Sequence, residues 1–256
     1  TDTLTRREEI YHRGLADIGK QQAGGNEPVS IHNRATAKEM GLEKKLLYDR
    51  WPKASLSDRF MPSDTTLELF ASGEYTELGD FVDGLYEVEI ENENIVIMSR
   101  AGSVESAPAQ VHKLITIDDA AGTVNVEYSI TAGEKGLSCL FAVENVFSFL
   151  AGDAPDRYFE IPGRKLARGR NLASMGIEKD VDRIRMVDEW LDLSVALDFT
   201  PGADVWRYPI ETVSNSDSGF EKVYQGSAIV AVRKLELEPH GMETFALRVG
   251  ISTANQ

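Results

Sequence analysis

From about residue 80 to the end of the chain, apolar side chains recur at every second position, and turn signals break the pattern roughly every ten residues. A period of two belongs to a strand that buries one face. Tyr86, Val88 and Ile90 alternate with Glu87, Glu89 and Glu91; Asn92-Glu93-Asn94 reads as a turn and Ile95 to Met98 as the returning strand. Val111 to Ile117 and Val124 to Ile130 flank a second turn, Asp118 to Gly122. Further strands are predicted at 138–149, 157–161, 190–198, 203–210, 222–237 and 243–251. No helical pattern follows each strand, which argues against a parallel α/β fold. The expected fold is mainly β: a large antiparallel β-sandwich with an N-terminal helical segment.

That segment is the first 22 residues. Thr5 and Glu8 have the spacing of a capping box, and Leu4, Ile10, Tyr11, Leu15 and Ile18 form an apolar stripe, so the pattern predicts a helix over 5–22. Ala23 to Pro28 reads as a linker, and 35–46 as another short helix. Ser63-Asp64 ahead of Leu67 and Phe70, with Gly73 behind, predicts a short capped helix. The division expected is a helical connector and linker over 1–50 and a β-sandwich domain over 51–256.

With 42% hydrophobic residues the chain has material for a core and is not a disordered polyelectrolyte. Its net charge of −15 is concentrated: 20 acidic against 6 basic residues lie in 51–163, whereas 164–256 holds 14 and 12. Nucleic acid and anionic membranes are therefore not expected partners, since both need clustered cations. The acidic residues are expected on outward strand positions, or else as a surface for a metal or a basic partner. No run of about 18 apolar residues exists to span a membrane. The lone Cys139 allows neither an internal disulfide nor a cysteine-based zinc site. No cofactor or metal is expected, and the location expected is cytoplasmic.

Catalytic signatures are sparse. There is no Gly-x-Ser-x-Gly elbow and no phosphate-binding loop. His12, His32, His112 and His240 are far apart in sequence. Arg164-Lys165 with Arg168 and Arg170 is either a phosphate site or a solvated loop. Trp206 and Tyr208, two apart in a predicted strand, share a face and are either core residues or a platform for sugar rings. Glu144 sits within the apolar run Leu140 to Phe147; it must either find a hydrogen-bond partner or carry a raised pKa suited to acid chemistry. Pro209 to Glu221 is dense in hydroxyls and carboxylates, as an ordered, side-chain-bonded loop would be.

Three stretches together are more specific. Ser30 to Arg34 continuing to Gly41–Trp51, then Ser55 to Met61 with Leu78 to Val82, then Glu211 to Gly226, resemble the C-terminal region of the α-amylase/4-α-glucanotransferase group in glycoside hydrolase family 57. Two positions depart from the pattern: Arg59 follows Asp58 where that family has His, and Asp217 stands where it has Glu. The resemblance implies a galactose-mutarotase-like super-sandwich that follows an N-terminal catalytic β/α barrel. A retaining glycosidase needs two carboxylates about 5–5.5 Å apart. In the family both belong to the barrel, so no catalytic residue is carried over to this chain, and the segment is expected to be non-catalytic by itself. The chain then reads as the C-terminal part of a longer enzyme, buttressing the barrel and walling one side of a cleft for α-glucan or maltooligosaccharide. Trp206, Tyr208, Glu211, Glu221 and Gln225 are the candidate contacts with sugar or barrel. Two rival readings remain at this point. One is a free-standing mutarotase-like epimerase using His112 and Glu144; the other is an acidic protein-interaction module.

Overall fold

The computed structural model describes residues 4–15, 41–216 and 219–254. Among these residues eleven antiparallel strands form one hydrogen-bonded sheet that folds back on itself. They are β1 (Ser57–Met61), β2 (Glu87–Asn92), β3 (Ile95–Val104), β4 (Ala107–Asp118), β5 (Thr123–Ala132), β6 (Leu137–Phe147), β7 (Arg157–Glu160), β8 (Gly176–Asp188), β9 (Leu193–Ser216), β10 (Gly219–Leu237) and β11 (Met242–Ser252). A short helix, α1 (Leu67–Ser72), links β1 to β2. No described helix is long and apolar enough to cross a membrane.

The sandwich arises because β9 serves both layers. Its first part, from Ser194 to Thr200, pairs with β11; its second, from Asp204 to Ser216, pairs with β10. One layer is therefore β2-β3-β4-β5-β11 with the start of β9, and the other is β1-β6-β10 with the remainder. β8 follows β9 across the corner, with irregular register between Glu178, Val181 and Arg183. A Cβ at Gly202 would meet the exposed Asp180 and Asp182 carboxylates within 3.0 Å, so a side chain at this corner would have to push those two groups aside. Between the layers, Phe60, Phe141, Tyr128, Phe245, Leu197 and Val205 form one continuous core.

Several expectations change. Residues 5–9 are not helical; Leu4 instead makes a β-bridge with Lys53, and helix appears at 12–15. The cause is Asp49, which accepts from both the backbone N–H and the guanidinium of Arg6 and holds this stretch extended. The rest of the predicted first helix, the linker at 23–28 and the first half of the helix at 35–46 lie outside the described residues, and Leu42–Lys45 is a 3-10 turn. α1 forms where expected, but its cap is Thr66 Oγ1 rather than Ser63 or Asp64, and Gly73 closes it with φ 78°. The strands predicted at 190–198 and 203–210 are one strand, and β1 and β8 are additional. On β2 the alternation buries nothing: all six residues of this edge strand are exposed.

Close approach at the β9–β10 ribbon yields a test. A Cβ on Gly226 would lie 2.6 Å from the Phe147 carbonyl oxygen, a backbone atom that cannot step aside. Gly226→Ala is expected to destabilise the chain by about 1–3 kcal/mol, read as a lower denaturation midpoint at unchanged m-value.

Candidate functional site on the outer face of the second layer

Alternation on β6, β9 and β10 sends one set of side chains into the sandwich and the other set outward. The outward set of the second layer is also apolar: Ala142, Val146, Trp206, Tyr208, Ile210, Ala228 and Val230. It is covered by Leu67 and Phe70 of α1, by Tyr75, and by Leu4 and Trp51 of the N-terminal segment.

Glu144 lies in the middle of this covered face and is fully buried. Lys53 Nζ approaches one carboxylate oxygen at 3.1 Å and Arg59 Nη2 the other at 2.8 Å. The Tyr208 hydroxyl donates to the same carboxylate and accepts from Lys53 Nζ at 3.0 Å. Burial alone would raise the Glu144 pKa; the Lys53 and Arg59 charges and the Tyr208 hydroxyl outweigh it and hold the value at about 2. The raised pKa considered for Glu144 is therefore not found, and the hydrogen-bonded alternative is. Arg59, the residue that departs from the family pattern, supplies half of the compensating charge. A second buried pair crosses the sandwich: Asp58 meets Lys113 Nζ at 2.7 Å and accepts from the Tyr86 hydroxyl. Nearby Glu77 accepts from the Phe60 and Gly79 amides, yet burial dominates and pushes its pKa up to about 7.

Beside this network opens a cleft of about 360 Å³ between the N-terminal segment and the β9–β10 ribbon. Tyr208, Glu211 and Lys222 line one side, and Arg6, Lys44 and Glu68 lie among the residues of the other. Glu211 and Lys222 pair at 2.7 Å across the two strands. The ribbon beyond Pro209 packs Val213 and Phe220 against Leu15 and Leu42. His12 ties the same elements together, with Nε2 3.0 Å from the Val213 carbonyl and Nδ1 accepting from the Glu9 amide.

The five candidate residues thus separate. Tyr208 and Glu211 line the cleft. Trp206 is buried edge-on against Phe70, and only the hydroxyl end of Tyr208 is committed to polar partners. Gln225 sits at the bulge between Tyr224 and Gly226 and donates to Thr212 Oγ1 at 3.1 Å. Glu221 faces Ser214 on the ribbon and is half-buried. The described residues of the polar segment, 211–216 and 219–226, are therefore mostly paired strand and not loop. Lys53 and Arg6 were not singled out by sequence; neither lies in a periodic stretch, and only folding brings them to Glu144 and Asp49.

The remaining candidates are placed elsewhere. His112 lies on β4 between the inward-facing Val111 and Lys113, so it points away from the core on the first layer, whereas Glu144 is on the outer face of the second. The His112–Glu144 pair that an epimerase would need is not formed. His32 and Asp217 lie outside the described residues. The loop with Arg164, Lys165, Arg168 and Arg170 is largely exposed and pinned from below by Arg207, which donates to the Arg168 and Gly169 carbonyls at 2.7 and 3.1 Å. Among the described residues no group of three or more His, Cys, Asp or Glu is arranged to hold a metal.

The family model for the C-terminal region of α-amylase/4-α-glucanotransferase matches residues 1–245. The chain belongs to this family. It is 35% identical over 246 residues to α-amylase 1 of Dictyoglomus thermophilum, covering 93% of this chain and 33% of that protein. To the 4-α-glucanotransferase of Thermococcus kodakarensis it is 29% identical, over 93% of this chain and 32% of the relative. The chain thus spans about a third of the length of these curated relatives. Among solved structures, the 4-α-glucanotransferase of Thermococcus litoralis superposes with a TM-score of 0.71 at 25% identity, covering 97% of this chain and 33% of that one. A provisional aldose 1-epimerase of Escherichia coli K12 superposes at 0.51 with 12% identity over 70% of this chain and 72% of its own, a likeness of fold alone. The galactose-mutarotase-like sandwich expected from the sequence is the fold observed.

Removing the buried carboxylate tests the network. Glu144→Gln leaves Lys53 and Arg59 as uncompensated buried cations and is expected to cost about 3–5 kcal/mol in chemical denaturation. Because the Glu144 pKa is depressed, its stabilisation is complete above the ordinary carboxylate range near 4.5 and is lost as pH falls towards 2. Glu77 has the opposite sign: its cost sets in as pH rises from about 4.5 through about 7. Glu77→Gln is therefore expected to flatten the loss of stability between pH 5 and 8, with thermal unfolding across that range as the readout.

Proposed function

We propose that this chain is the non-catalytic C-terminal β-sandwich of a maltodextrin- or starch-acting glycoside hydrolase or 4-α-glucanotransferase. It buttresses an N-terminal catalytic barrel and walls one side of the glucan cleft, in the cytoplasm. The observation that carries this reading is the outer face of the second layer. There an N-terminal segment, a short helix and a long β-ribbon are fixed around a buried ion network, next to an open cleft whose rim holds Glu211, Lys222 and Tyr208. A carboxylate and an ammonium at a cleft rim suit sugar hydroxyls. The family membership and the one-third span of the relatives support a supporting role beside a larger catalytic part. The relatives' names, α-amylase and 4-α-glucanotransferase, support an α-glucan as substrate.

The test uses the full-length enzyme carrying this domain, with Glu211→Ala and Lys222→Ala combined. KM for maltoheptaose is expected to rise about 5–10-fold with kcat within twofold, the signature of lost uniform binding. Unchanged KM and kcat would contradict the cleft-wall role.

A further inference from the structure

We propose a second glucan-binding point at the tip of the β8–β9 hairpin, with the Trp190 ring as its platform; this rests on the α-glucan reading above. Trp190 is 68% exposed, and its neighbour Leu191 is 48% exposed. A single exposed apolar side chain is ordinary on a protein surface. What sets this one apart is how firmly its turn is held. Asp188 is completely buried at the base of the turn; its Oδ2 accepts from Arg157 Nε at 2.8 Å and its Oδ1 from the Leu191 amide at 2.9 Å. The Glu189 amide donates to the Asp156 carbonyl at 2.9 Å, and the Tyr158 hydroxyl donates to the Glu189 carboxylate at 2.9 Å. From the other side, the Ala254 amide reaches Asp192 Oδ1 at 3.1 Å, and Asp192 itself adopts φ 50°. Burying an ion pair is costly, and here it serves to fix the shape of an exposed turn.

The tip therefore offers a rigid aromatic surface at small entropic cost to a ligand. The Arg157 guanidinium lies 5.5 Å from the ring centroid, and the Glu189 and Asp156 carboxylates and the Tyr158 hydroxyl stand close to the tip. An apolar flat face bordered by fixed hydrogen-bonding groups matches a pyranose, whose axial C–H groups pack on an indole while its hydroxyls reach the rim. Position separates this point from the cleft: Trp190 precedes the first residue of β9, whereas Val213 and the cleft lie twenty residues further along the same strand. A long α-1,4-glucan anchored at the tip would be held near the enzyme without occupying the cleft.

Titration of the chain with maltoheptaose, followed by calorimetry and by tryptophan fluorescence, tests the proposal. Binding in the millimolar range is expected. Trp190→Ala is expected to weaken it at least tenfold and Trp190→Phe no more than about threefold, each at unchanged melting temperature because the side chain supports no core. Absence of binding by the unsubstituted chain at 20 mM overturns the proposal, as does full affinity in Trp190→Ala. Retained affinity in Trp190→Ala that disappears in Glu211→Ala/Lys222→Ala would move the sugar to the cleft, overturning this site while leaving the proposed function intact. Affinity lost in Trp190→Ala, with KM of the full-length enzyme indifferent to the cleft substitutions, would leave this site standing and remove the cleft wall.

Discussion

One fully buried carboxylate, Glu144, organises the outer face of the second layer. It sits in the centre of an apolar strand, so it must be compensated, and the compensation comes from two positions far away in sequence. Lys53 brings the end of the N-terminal segment onto the sheet, and Arg59 brings β1 alongside β6. Tyr208 closes the group from β9 and at the same time forms part of the cleft surface. Three elements are thereby fixed relative to one another by a single charge. A purely apolar face could slide or exchange partners; a carboxylate with two specific cations cannot do so without leaving a charge buried alone.

The second organising feature is the pair β8–β9. Because both strands run through the corner, the two layers are one hydrogen-bonded sheet, and the far ends of β9 are mechanically continuous. One end presents the Trp190 turn and the other extends as the β9–β10 ribbon against Leu15, Leu42 and His12.

Much of this was legible in the residues, and the exceptions have physical causes. The period-two stretches at β4, β5 and β11 were readable because each buries one face against a continuous core, and β6 was readable as an apolar run buried on both faces. β8 was not: its bulges at the corner break the alternation, and its exposed positions carry four charges, Lys179, Asp180, Asp182 and Arg183, besides the half-buried Arg185. β2 kept its alternation although nothing covers it, so pattern alone could not tell that Val88 and Ile90 stay exposed. Near the N-terminus, the capping-box spacing of Thr5 and Glu8 lost to a tertiary contact, the bidentate Arg6–Asp49 pair, which no local signal announces. In the candidate site, Tyr208 was identified from its spacing to Trp206 and Glu211 from its polar segment, whereas Lys53 carried no mark, since a lysine becomes informative only once its buried partner is known. Trp206 was readable as a residue of that face but not as one roofed over by Phe70, because the helix that covers it is contributed from 136 residues away.

The central claim is that the Glu144 charge holds the N-terminal segment, β1 and α1 onto the second layer, and so shapes the face beside the cleft. Amide hydrogen exchange of the Glu144→Gln chain, compared residue by residue with the unsubstituted protein, tests it most directly. Protection is expected to fall first and furthest over residues 53–61 and 67–72, while β4, β5 and β11 keep a protection limited only by global unfolding. Equal loss across the whole sandwich, or no change at 53–61, would contradict it.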